Sequence, residues 1–186
     1  QQAGADAPRV IDPRNAWLMT NMMQDVVRYG TAARAGQLGR SDIAGKTGTT
    51  NDARDTWFAG YTPDVVAISW MGYDQPRSLG RGETGAQSAL PIWIDFMEPT
   101  LKGQPQKGWS MPSGIIAVQI DATTGTRLPE PMFGGLLNDL LGQRPVGTTE
   151  YFYQEFPPPD ASATDESHEP VIQTPMHTAP APGTAL

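Results

Sequence analysis

The chain has 186 residues, with 13 Lys and Arg against 20 Asp and Glu, and a formal charge of −7. That balance excludes the basic footprint of a nucleic-acid partner. The absence of cysteine excludes disulfides and thiolate metal sites, and no apolar run approaches the roughly 18 residues of a membrane span.

The charge is uneven. Residues 154–186 hold five acids, seven prolines and no base, and the rest is close to neutral with 15 acids against 13 bases. In chain order, residues 1–11 read as a loop. Asp12-Pro13 is a helix start, an N-cap acid followed by proline at the first helical position. From Arg14 to Tyr29, Leu18, Met19, Met22, Met23, Val26 and Val27 form an apolar stripe at helical spacing. The methionines are read as core packing, and Gly30 as the stop. Residues 31–42 are a loop, with Arg40 and Asp42 read as solvated surface. Residues 43–49 are a short strand. Trp57–Tyr61, Thr62-Pro63-Asp64 and Val65–Tyr73 read as strand, turn and strand. The second strand is apolar nearly throughout, as for one covered on both faces, and Trp57 and Trp70 are assigned to the core. Residues 74–88 form a loop, 91–101 a second helix, 103–113 a linker and 114–120 a strand. Asp121–Gly125 is a turn, and an extended segment is expected near 151–153. From Phe156 the composition predicts disorder.

The chemistry concentrates at Lys46-Thr47-Gly48-Thr49-Thr50. A strand-edge lysine beside hydroxyls and a glycine can bind a carboxylate: the ammonium supplies charge, the hydroxyls donate, and the glycine permits close approach. A backbone N–H after the glycine suits an oxyanion hole. K-T-G is one of three signatures shared by penicillin-binding proteins and class A β-lactamases. As a bare tripeptide it is better read as an ordinary exposed strand lysine. The other two signatures, Ser-x-x-Lys and a Ser-x-Asn type motif, do not occur: none of the eight serines has Lys three positions on or Asn two positions on.

The flanking residues extend the motif. Lys46–Pro63 resembles the K-T-G-T-T, N-D, D-x-W-F, G-Y-T-P segment of class A penicillin-binding proteins. Asn21–Ala32 resembles the helix and G-T-A/G loop before K-T-G in that family. Trp70–Asp74 resembles its W-x-G-Y-D strand end. Thr84–Trp93 resembles its T-G-G-x-x-A-A-P-I-W helix start, with Ala86 for the second glycine and Leu90 for an alanine. Asp121-x-x-x-Gly125 resembles its D-x-x-T-G turn.

The resemblance implies an α+β chain, part of a serine β-lactamase/DD-peptidase-like fold, in which helices pack on an antiparallel sheet. Residues 1–101 would be the C-terminal portion of a transpeptidase domain, 102–155 a small β-rich extension and 156–186 an acidic, Pro-rich tail. It implies a parent peptidoglycan synthase with a membrane anchor, a glycosyltransferase domain and a transpeptidase on the periplasmic face of the inner membrane. That transpeptidase forms a serine acyl-enzyme from D-Ala-D-Ala stem peptides, and β-lactams acylate the same serine. Lys46 and Thr49 would act in catalysis, and Lys46, Thr47, Gly48 and Thr49 in substrate binding. The resemblance also implies that the nucleophile lies N-terminal to Gln1, and Gln1-Gln2-Ala3-Gly4 does not read as a natural start. No cofactor or metal is expected, and no membrane contact by this chain. The alternatives are a β-lactamase or carboxypeptidase fragment, disfavoured by the G-Y-T-P and A-L-P-I-W segments, and a non-catalytic module binding peptidoglycan or a protein.

Three other features are set aside. Asp52 and Asp55 read as loop caps helped by Arg54 rather than a paired-carboxylate site. Gly80–Gly85 superficially matches G-x-G-x-x-G but lacks a βαβ context. His168 and His177 have no partner at metal-ligand spacing.

Overall fold

The structure, a computed structural model, describes residue 8 and residues 10–128 and 147–160. Helix α1 spans Pro13–Arg28 and starts where the sequence indicates. The Asp12 carboxylate accepts the Arg14 N–H and Pro13 opens the first turn. At the other end the Gly30 N–H reaches the Asp25 and Val26 carbonyls.

The methionine stripe does not fill the core. Met19 and Met22 are exposed, Met22 by 56%, and α1 buries Thr20, Gln24 and Val27 instead. The buried polar groups are matched. The Thr20 hydroxyl bonds the Ala16 carbonyl and the Tyr61 hydroxyl, and the Gln24 amide donates to the Ser41 carbonyl. A polar face with partners can be buried at little cost, which releases the thioethers to the surface.

Three strands form an antiparallel sheet in the order β1 (Ala44–Thr49), β2 (Asp55–Tyr61), β3 (Val66–Gly72). Thr47 pairs with Phe58, which pairs with Ser69. Side chains alternate between faces, so Phe58 and Ser69 point to one side with Gly45, Thr47, Thr49, Thr56 and Gly60. That face carries the core, where Ile43, Phe58, Leu90, Trp93, Ile94 and Met97 cluster with Val27, Ala32 and Ala35. Gly60 leaves the space that Phe58 and Trp93 fill: a Cβ there would lie 2.5 Å from Phe58 and 2.7 Å from Trp93.

The opposite face corrects the expectation of a strand covered on both sides. Along β3, Val66 is 73% and Ile68 64% exposed, and Trp57 and Trp70 sit outside the core with them. The two indoles pack together at 6.1 Å, and Trp70 Nε1 donates to the Asp55 carboxylate. The face is exposed on the central strand β2 as well as on the edge strand β3, because the helices pack on the other side of the sheet.

Helix α2 (Leu90–Leu101) covers the core face. Leu90, Trp93, Ile94, Met97 and Leu101 are its buried positions, at helical spacing. It follows a π-helical turn, Gly85–Ala89, capped by the Thr84 hydroxyl. The chain then returns along residues 102–112 to the start of β1. Arg40 and Asp42, expected as solvated surface, form a buried ion pair there, with side chains 9% and 2% exposed. The guanidinium donates from two nitrogens to the Asp42 carboxylate and to the Gln104 and Pro105 carbonyls, and Asp42 also accepts the Lys107 N–H. Trp109 donates its indole N–H to the Asp42 carbonyl and meets Tyr61 edge-on. Arg40 Nε and Asp42 Oδ1 bond each other, and the other polar atoms of the pair gain partners from the returning chain, which is why it can be buried.

β4 (Ile115–Asp121) and β5 (Gly147–Tyr153) form a two-stranded sheet. Contacts divide the chain into two units, Gln1–Val118 with Thr149–Pro157, and Gln119–Thr148 with Pro158–Leu186. In the first, Trp17 packs edge-on against Tyr151, and Arg14 pairs with Glu155 at 2.6 Å. In the second, the expected Asp121–Gly125 turn is closed by the Asp121 carboxylate, which accepts the Thr123 and Thr124 N–H groups. The expectation of a disordered tail falls, from residue 161 onward, outside the described residues.

Candidate functional site: the Lys46–Thr49 strand edge

β1 is also an edge strand, and it carries the whole K-T-G-T motif. Alternation puts Thr47 and Thr49 on the core-side face and Lys46 and Gly48 on the other. Lys46 is exposed. Its ammonium donates to the Thr47 carbonyl at 2.9 Å, using one of the three donors an ammonium carries. The absent side chain of Gly48 would face Trp57 Cβ at 3.3 Å.

Both threonine hydroxyls are engaged by residues far away in sequence. Thr47 Oγ1 lies 2.7 Å from Thr31 Oγ1, 16 positions upstream. Thr49 Oγ1 accepts the Gly85 N–H at 3.0 Å, from 36 positions downstream. Sequence reasoning flagged the segments of Thr31 and Gly85 but assigned neither residue a role. Thr31 is fixed because the next residue, Ala32, is fully buried and its N–H bonds the Val26 carbonyl. Gly85 opens the π-helical turn, where Thr84 caps the turn and the neighbouring Ser88 hydroxyl donates to Glu83. Only glycine fits there: a Cβ would stand 2.5 Å from the Trp57 carbonyl oxygen and 2.7 Å from that of Gly48.

The turn after β1 is held by Thr50, whose hydroxyl accepts the Asp55 N–H, while the Thr50 N–H donates to the Asp55 carbonyl. Asp52 and Ala53 take positive φ, 63° and 47°. The Thr50 hydroxyl and the Trp70 indole hold the Asp55 carboxyl below the usual aspartate range. Asp52 meets Arg54 at 3.4 Å on the surface. The two acids thus serve the turn and the sheet, as loop residues do. His168 and His177 lie outside the described residues.

Chemically, the edge offers one ammonium, two hydroxyls and a glycine along four residues, the donors that hold a carboxylate. Covalent chemistry needs a nucleophile beside a base. The buried serines are committed otherwise: Ser69 donates to the Ala89 carbonyl and Ser88 to Glu83. A cavity of about 810 Å³ lined by Leu38, Arg40, Glu98, Leu101 and Gln104 includes none of the K-T-G-T residues.

Residues 1–97 match the family described as penicillin binding protein transpeptidase domain. The chain belongs to the penicillin-binding protein transpeptidase family. It is 57% identical over 115 residues to penicillin-binding protein 1A of Neisseria lactamica, covering 62% of this chain and 14% of that protein. It is 52% identical over 119 residues to penicillin-binding protein 1A of Pseudomonas aeruginosa, covering 64% and 14%. Its fold is similar to the crystal structure of penicillin-binding protein 1A from Haemophilus influenzae. There the TM-score is 0.70 and the identity 35%, covering 82% of this chain and 22% of the other. The chain therefore spans about a seventh of the length of these curated relatives. The family assignment accounts for the mixed helix and antiparallel-sheet architecture that the sequence led us to expect.

Proposed function

We propose that this chain is the C-terminal part of the transpeptidase domain of a bifunctional peptidoglycan synthase, and that it supplies the Lys46–Thr49 wall of the site. The whole protein joins stem peptides by D-Ala-D-Ala transpeptidation through a serine acyl-enzyme, and is acylated by β-lactams at the same serine. Its glycosyltransferase domain and membrane anchor precede the transpeptidase, and the site faces the periplasm. The nucleophile, its lysine partner and the Ser-x-Asn element come from outside these 186 residues.

One observation carries this reading: in a chain of this family, Lys46, Thr47 and Thr49 are set on an exposed strand edge with their donors organised. In that reading the Lys46 ammonium and the Thr47 and Thr49 hydroxyls hold the carboxylate of the substrate or β-lactam. The Thr49 N–H, next to Gly48, polarises the carbonyl under attack. The Lys46→Ala variant of the full-length protein tests it. Removing a charge-assisted hydrogen bond of about 1.5–3 kcal/mol should slow acylation by benzylpenicillin by roughly ten- to a hundredfold. Acylation at the unaltered rate rules the role out.

A further inference from the structure

Thr47 and Thr49 each own a single hydroxyl proton, and a carboxylate can use only that proton. The surroundings decide whether it is free. Thr49 Oγ1 accepts the Gly85 N–H. A backbone amide can only donate, so this bond occupies a lone pair of Thr49 and frees its proton. The Gly85 amide is fixed by the Thr84-capped turn and by the absence of room for a Cβ.

At Thr47 the partner is another hydroxyl, 2.7 Å away, and either oxygen can donate. A bound carboxylate removes that freedom. It accepts the Thr47 proton, so the Thr31 proton must turn toward Thr47 Oγ1. Each bond in such a chain polarises the next. A hydroxyl at residue 31 thus completes the chain Thr31 to Thr47 to ligand, as the Gly85 amide completes Gly85 to Thr49 to ligand.

We infer that Thr31 and the Gly85 N–H are positioning groups that turn the Thr47 and Thr49 hydroxyls into a pair of donors selective for a free carboxylate over its ester. The inference rests on the carboxylate-holding role proposed for Lys46–Thr49. Thr31 and Gly85 themselves stand behind the ligand contacts and act through the two threonines. A carboxylate presents two charged oxygens to the two hydroxyls. An ester presents one neutral carbonyl and an ether oxygen that accepts poorly, so the second donor is left without a good partner.

The test uses the full-length enzyme and the acylation rates by benzylpenicillin and by its methyl ester. In Thr31→Val, which keeps the shape and removes the hydroxyl, the acid-to-ester rate ratio should fall about fivefold, the worth of one hydrogen bond between neutral groups. Thr31→Ser should restore the wild-type ratio. A ratio unchanged in Thr31→Val overturns the inference, and so does an equal loss with both substrates, the mark of general damage to the fold. Lys46→Ala separates the two claims. If it lowers the ratio and Thr31→Val does not, the positioning role fails alone. If neither lowers it, the carboxylate-holding role fails as well.

Discussion

Arg40 and Asp42 illustrate how single residues hold this fold. Two exposed-looking charges become a buried pair because the returning chain brings the Lys107 N–H to Asp42 and offers Arg40 the Gln104 and Pro105 carbonyls. Removing one partner strands the other's charge in the interior, at about 3–5 kcal/mol. Asp42→Ala should therefore lower stability by several kcal/mol in denaturant titrations. A loss within the half kcal/mol typical of surface changes would mean that the pair is solvated after all. The Gly60 position makes a second case. Its Cβ would collide with Phe58 and Trp93, so Gly60→Ala should cost about 1–3 kcal/mol by overpacking, read from the same titrations. At this scale legibility was mixed. Lys46, Thr47 and Thr49 could be named from their motif. Thr31 and Gly85 could not be given roles, because only tertiary folding carries them across 16 and 36 positions to those hydroxyls.

The elements were legible where local chemistry specifies them. Asp12-Pro13 starts α1, Thr62-Pro63-Asp64 turns β2 into β3, and the apolar spacing of 90–101 gives α2, because each signal acts within a few residues. What each face meets was less legible. In the run Val65–Met71 nearly every position is apolar, so periodicity cannot say which face is covered. The result is a face on which Val66, Ile68, Trp57 and Trp70 are exposed along an edge strand. Such an edge is a template for association, and apolar side chains grouped on one exposed face mark an interaction or aggregation surface. The isolated chain should self-associate and bind a hydrophobic dye, and Ile68→Lys should suppress both. Monomeric behaviour at high concentration in light scattering would argue that this face is covered within the chain itself.

At the scale of the whole molecule, four carboxyls among the described residues are held below their ordinary values of 3.8 for aspartate and 4.5 for glutamate and so contribute to stability against acid. Asp12 is lowered by the Arg14 N–H, Asp55 by the Thr50 hydroxyl and the Trp70 indole, and Asp121 by the Thr123 and Thr124 N–H groups. Glu155 is lowered by its own N–H and by Arg14. A carboxyl whose folded pKa is depressed contributes stability above its unfolded value, and that contribution is lost as pH falls through the folded value. Denaturant midpoints should thus hold steady at neutral pH and fall once the pH drops below those ordinary values. Asp121→Asn should flatten that fall, and a midpoint that rises on acidification would contradict the assignment. At this scale the sequence indicated both the family and the antiparallel architecture, since the motif blocks recur in the family's order.

In the function proposed above, Lys46–Thr49 hold the carboxylate of the acyl donor while the acylated serine lies outside residues 1–186. Peptide mapping of the full-length protein after reaction with benzylpenicillin tests it most directly. One adduct is expected, on a serine outside residues 1–186, formed more slowly in Lys46→Ala. An adduct on any of the eight serines of this chain would contradict it.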